Sequence, residues 1–295
     1  MTTNSPPQYT NIAEGMAQQS RIYCHFCSKL PQVLSVMSSP YVSALVLLLW
    51  PLTSLEQCRA ECTPEYQKLS RNGVTHTACK PPNPRCHIIE RGLRAGEAEE
   101  ILRLHNAYRS RMALGMVSGF KPAANMRQMY WDDKLAEVAQ AHADQCSEKR
   151  YAEHDKKQAR ATARFPRVGQ NVGWRGENRN QSSATWSQRI KNWFDEHKDY
   201  PPEGIASFKV IRGPARTGHF TQLVWGETRY VGCGYTFYTL HDDKNAKKYQ
   251  TTQVCNYGPR GNVLTEPVYS EGQPCNSCLD DGFCNETTGL CMGTF

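Results

Sequence analysis

A layered α+β fold is what this sequence of 295 residues predicts, on three observations. Three segments carry apolar residues at helical spacing, and two later segments alternate around a charged turn. No regular strand–helix–strand alternation runs through the chain, which argues against a doubly wound parallel sheet.

The first helix lies in "EAEEILRLHNAYRSRMALG", where Ile101, Leu104, Tyr108 and Met112 share a stripe and Gly115 ends it. The second, "WDDKLAEVAQAHADQC", stripes Trp131, Leu135, Val138, His142 and Cys146. In the third, "ATWSQRIKNWFDEHKDY", the stripe is Trp186, Ile190, Trp193 and His197, and Pro201–Pro202 stop the helix. Residues 218–227 make a short fourth helix. "VGQNVGW", following a basic, proline-containing stretch, reads as a short strand. Tyr230–Leu240 and Tyr249–Tyr257 form a hairpin around "HDDKNAKK". The predicted organisation is a leader over 1–60, a disulfide-tied irregular segment over 61–93, the main domain over 94–268, and a separate cysteine-rich tail over 269–295.

Thirteen cysteines are unusual for a cytosolic enzyme and fit an oxidising compartment. "VSALVLLLW" is too short to span a membrane but suits the core of a signal peptide, with Met37 just ahead and a cut after Ala60. The polar first 36 residues then read as an over-extended start; the alternative is a cytosolic tail on a signal anchor. Cleavage near residue 61 leaves ten cysteines, Cys62, Cys79, Cys86, Cys146, Cys233, Cys255, Cys275, Cys278, Cys284 and Cys291, an even number suited to full pairing. It also leaves a basic surplus of six. That allows weak contact with anionic glycans or a membrane surface but does not mark a nucleic-acid binder. Asn180 in "NQS" and Asn285 in "NETT" are glycan acceptors in a secreted chain.

"GHFTQLVWGET" and "CNYGPRGN" resemble the two signature phrases of the CAP superfamily, which joins cysteine-rich secretory proteins, antigen 5 and class one pathogenesis-related proteins. "HNAYRSRMALG", "VGQNVGW" and "NWFDEHKDY" fall in that family's order, and "GVTHTACK" is similar to the amino-terminal segment of arthropod antigen 5 proteins. Thr252 and Gln253 stand where relatives place apolar residues. The resemblance implies an α-β-α sandwich around a three-stranded antiparallel sheet, secretion, and the disulfides Cys62–Cys79, Cys86–Cys146 and Cys233–Cys255, with the tail cysteines paired among themselves. It further implies a cavity of two histidines and two acids. These map to His154, His219 and Glu196, with Gln170 in place of the second acid.

That site reads as non-catalytic. No serine or cysteine stands in a nucleophile setting, no H-E-x-x-H occurs, and Gln170 cannot exchange a proton. Two imidazoles plus Glu196 could hold zinc or another divalent cation weakly; the bland alternative is that His219 only bonds its helix start. His105 reads as a packed scaffold histidine. The expectation is a secreted, extracellular, monomeric venom allergen-like or salivary protein that binds a host protein or a small apolar ligand such as a lipid or sterol. The alternatives are a metal-dependent hydrolase and a housekeeping defence protein of the same fold.

Overall fold

Residues 62–149, 151, 153–241, 248–278 and 282–293 are described by a computed structural model; the expected leader and the start near residue 61 lie outside them. In chain order the helices are α1 Pro64–Leu69, α2 Glu97–Ala113, α3 Asp133–Ala143, α4 Trp186–Asp195 and α5 Gly218–Leu223. The strands are β1 Cys86–Arg91, β2 Tyr130–Trp131, β3 Gly169–Glu177, β4 Tyr230–Leu240, β5 Tyr249–Gly258, β6 Phe283–Asn285 and β7 Leu290–Met292.

The central sheet runs β1-β4-β5-β3, antiparallel throughout, with β2 added parallel to the start of β4. The two long strands are rich in Val, Tyr, Thr and Phe, residues that suit a pleated surface. Alternation then sends their side chains to two different layers. Val231, Cys233, Tyr235 and Phe237 join the main core with α2, α4 and α5, whereas Val254 packs with Ala139 and Ala143 of α3. Gly232 and Gly234 face α3, and the helix comes so close that a Cβ there would lie 2.2 Å from Ala136 N or 2.4 Å from Gln140 Cα. The result is an α-β-α sandwich around an antiparallel sheet.

The structure departs from the sequence reading at three places. The segment expected to be irregular contains α1 and β1, which pairs with β4 from Cys86↔Leu240 to Arg91↔Thr236. As an edge strand with mixed burial and a partner far along the chain, it has no clean period to read. The third helix was expected to carry its stripe through His197 and stop at Pro201–Pro202, but its α-helical part ends at Asp195 and continues as a tight 3₁₀ turn, Glu196–Asp199. The buried face of α2 is Ala98, Ile101, His105, Arg109 and Met112, so two of its inward positions are polar.

The five disulfides are Cys62–Cys79, Cys86–Cys146, Cys233–Cys255, Cys275–Cys284 and Cys278–Cys291. Cys233 and Cys255 are direct cross-strand partners. The tail holds the β6–β7 hairpin and docks on the domain. Leu290 enters the main core, and Cys291 exchanges backbone hydrogen bonds with Met126 and Gln128.

Candidate functional site: a cleft at the free edge of β3

β3 is the edge strand of the sheet, and its neighbours Gln170 and Asn171 point to opposite faces. Each is tied to one of the two histidines. On one face Arg160 Nη1, which can only donate, sits 3.1 Å from Gln170 Oε1 and so fixes the amide orientation. Gln170 Nε2 then donates to Asn256 Oδ1 at 3.1 Å, and Oε1 also receives His154 Nδ1–H at 3.0 Å. On the other face Asn171 Nδ2 donates to the His219 carbonyl at 3.0 Å.

His219 is held by Glu196. The switch from α-helix to 3₁₀ turn places this carboxylate at the start of α5, where Oε2 accepts the backbone N–H groups of His219 and Phe220 at 2.9 and 3.2 Å. Oε1 accepts His219 Nδ1–H at 2.6 Å. The ring also stacks on Trp193, centroids 5.7 Å apart. Glu196 therefore both satisfies the helix start and fixes the imidazole, so the bonding expected of His219 itself is carried by its partner. Both histidines spend Nδ1 on a fixed acceptor, which leaves both Nε2 lone pairs available. Their ring centroids lie 6.4 Å apart.

His154 keeps an exposed rim, yet its surroundings push the imidazole pKa down to about 4. Loss of hydration is the leading cause; the hydrogen bond to Gln170 opposes it, and the Arg160 charge adds to it. Arg160 is balanced by Asp155 at 2.6 Å in a buried ion pair. Thr77 Oγ1 donates to the other Asp155 oxygen at 2.7 Å, and His76 Nε2 bonds the Ala161 carbonyl at 2.8 Å. The "GVTHTACK" segment thus supports the floor of the site through the chain Thr77–Asp155–Arg160–Gln170–His154.

Four sequence-predicted residues, His154, Gln170, Glu196 and His219, come together here. Glu196 serves to orient His219, and it does not converge with the two histidines as a third ligand atom. Among the described residues the one cluster with metal-like spacing is Cys275, Cys278 and Cys291, whose sulfurs are committed to disulfides. Asn180 is exposed, whereas the Asn285 side chain accepts Thr288 N–H within the β6–β7 turn. Beside His219 opens a cleft of about 250 Å³ walled by Val172, Trp174 and Trp193 and reached by Arg189 and Arg216. Sequence reasoning missed both arginines, because on α4 and in a basic loop they look like solvated charges.

The family model described as the cysteine-rich secretory protein (CAP) family matches residues 102–257. A CRISP/Allergen/PR-1 protein of Trittame loki is 38% identical over 250 residues, covering 84% of this chain and 57% of that protein. The chain thus spans little more than half the length of that relative. Venom allergen 5 of Dolichovespula arenaria is 38% identical, covering 69% of this chain and 98% of that protein. Among solved structures, the zinc-bound crystal structure of NaASP2 is 28% identical with a TM-score of 0.52, covering 68% of this chain and 97% of that one.

Proposed function

The chain belongs to the CAP family of cysteine-rich secretory proteins, and from that premise we propose that it acts as a secreted, monomeric, non-enzymatic binding protein of the venom allergen 5 type. Its partner is a host protein or a small apolar ligand. In this reading His154 and His219 form a weak, solvent-open site for a divalent cation, zinc being the cation of the NaASP2 structure.

One observation carries the reading: two imidazoles across the β3 edge, each with Nδ1–H held by a fixed acceptor and Nε2 left over. The residues fit a cation held by two protein ligands, with Gln170 and Glu196 orienting them from behind. Two strong ligands make a weak site, since structural zinc sites use four. When bound, the cation would supply charge for recognising an anionic or carbonyl group. The same geometry disfavours turnover. Gln170 does not titrate, both Glu196 oxygens are occupied, and no Ser, Thr or Cys is among the described residues lining the cleft.

Isothermal titration calorimetry with zinc chloride at pH 7 tests the proposal. The wild type should show weak one-site binding, and His219→Ala and His154→Ala should each remove it while circular dichroism stays native. Equal zinc binding by wild type and both variants would reduce the histidines to scaffold.

A further inference from the structure

We infer that the cleft beside His219 is a receptor for a small organic monocarboxylate with an apolar body, and that Arg189 is its anchor. This rests on the reading of the cleft as a binding site and names the class of ligand it takes.

Arg189 lies across the Gly173 backbone. A Cβ on Gly173 would sit 2.2 Å from Arg189 Nε and 2.3 Å from Cζ, so the slot exists because that position has no side chain. The guanidinium is aimed from two sides. Nε donates to Gln253 Oε1 at 3.0 Å and Nη2 to the Trp174 carbonyl at 3.3 Å. Gln253 is itself buried at 1% exposure, an amide placed in the interior of β5 to meet this cation.

What Arg189 lacks is an opposite charge. Among the described residues no carboxylate pairs with it, and Nη1 has no protein partner. Burial pushes the guanidinium down to about 10, and the nearby charge, Arg175, is another cation that adds to the shift. Removing a cation from water without a counter-ion costs free energy, and a bound anion would offset that cost. A planar guanidinium with a free edge matches a carboxylate through two parallel hydrogen bonds.

The charge of the lining sets the valence. Arg189 and Arg216 stand against the single carboxylate of Glu196, and the surplus of one positive charge suits a monoanion. Val172, Trp174 and Trp193 provide walls for an apolar body, with aromatic faces to stack on. The volume of about 250 Å³ limits that body to roughly a phenyl ring with a short chain.

The test is calorimetry on the full chain without added metal, using 3-phenylpropionate, its neutral amide and inorganic sulfate as probes. The acid should bind saturably, the amide at least tenfold more weakly, and sulfate more weakly than the acid. Arg189→Gln should weaken the acid at least tenfold. Gly173→Ala, which keeps the charge but pushes the guanidinium out of its slot, should do the same while circular dichroism stays native. The zinc titration should be unaltered in both variants. Equal binding of acid and amide, no binding of the acid, or full acid binding by both variants would each overturn the assignment. In the wild type, zinc binding without acid binding refutes this inference alone, and acid binding without zinc binding refutes the metal reading alone.

Discussion

The buried face of α2 and the cleft at the β3 edge each hold a histidine and an arginine drawn back from water, and the two pairs are satisfied to different degrees. On α2, His105 uses both ring nitrogens, Nδ1 on the Ile101 carbonyl at 2.8 Å and Nε2 on the Tyr257 hydroxyl at 3.0 Å. Arg109 spreads its fork over the carbonyls of Arg127, Leu223, Trp225, Gly226 and Thr228 at 2.8–3.1 Å. In the cleft, His219 uses one nitrogen and Arg189 two of its groups. A saturated polar group holds the fold together; one with capacity left over is placed to meet something else. Arg109 is a pin that draws the β2 approach and the α5–β4 loop onto α2.

The largest effect should come from breaking the pin. Arg109→Met would strip the arginine donors from five buried carbonyls. Of these, Trp225 and Gly226 keep a backbone N–H while Arg127, Leu223 and Thr228 are orphaned. A buried polar group without a partner costs about 1–3 kcal/mol. Even with partial relaxation the loss should reach about 4 kcal/mol or more, a large share of the 5–15 kcal/mol typical of a domain. Arg109→Lys, with three donors on a point charge, should recover only part of it. Arg189→Met loses two hydrogen bonds in an open cleft and should cost about 1–2 kcal/mol. Denaturant melts of the three variants check the ranking. Equal losses at the two arginines would break the comparison.

The two histidines sharpen it through pH. His105 is fully buried, and its burial, with the nearby Arg109 charge adding, drives the imidazole pKa down to about 4 from an ordinary 6.5. As pH falls below 6.5 the unfolded imidazole binds a proton and the folded one does not, so stability declines between pH 6.5 and about 4 and is flat above that window. The full effect is on the order of 3 kcal/mol. His154, also pushed down to about 4, acts in the same direction. Unfolding free energies measured at pH 7 and pH 4.5 should differ by about 2 kcal/mol more in the wild type than in His105→Gln. A slope unchanged by that substitution would mean that His105 does not report the sealed face.

Much of the fold was legible because apolar periodicity is local. The stripe Trp186, Ile190 and Trp193 is buried as expected, and β4 spans Tyr230–Leu240 as read. β1 was not legible, since an edge strand with mixed burial takes its identity from a distant partner. The α2 stripe was half legible: Ile101 and Met112 carry it, but Arg109 at the inward position looks like a surface charge until the carbonyls around it are seen. At the site, resemblance located His154, Gln170, Glu196 and His219. Nothing in their spacing states that Gln170 and Asn171 serve opposite faces of one edge strand. Arg189 was hidden for a related reason. Its signal is Gly173 and Gln253, paired across β3 and β5 and far from it in sequence.

The smallest effect, and the most pointed, concerns Gln170. Its amide faces Arg160 and His154 with oxygen and Asn256 with nitrogen. Gln170→Glu would place a carboxylate behind His154 as Glu196 stands behind His219, making the two halves of the site alike. A carboxylate accepting Nδ1–H raises the basicity of the opposite nitrogen, and such partners typically change metal affinity by about 10–100-fold. Exposure of the His154 rim puts the expected gain at the low end, about tenfold in zinc affinity at pH 7. The change also has a cost. Asn256 Oδ1 would lose its donor and face another acceptor, and it cannot simply turn, because Asn256 Nδ2 donates to the Leu135 carbonyl at 3.3 Å. Folding stability should therefore fall by about 1 kcal/mol while zinc affinity rises. Calorimetry and denaturant melts on the one variant read both. Tighter zinc binding with lower stability fits Gln170 as a group that traded metal affinity for a satisfied amide network. A variant that binds zinc no better than the wild type would show that the orienting groups do not set the affinity of this site.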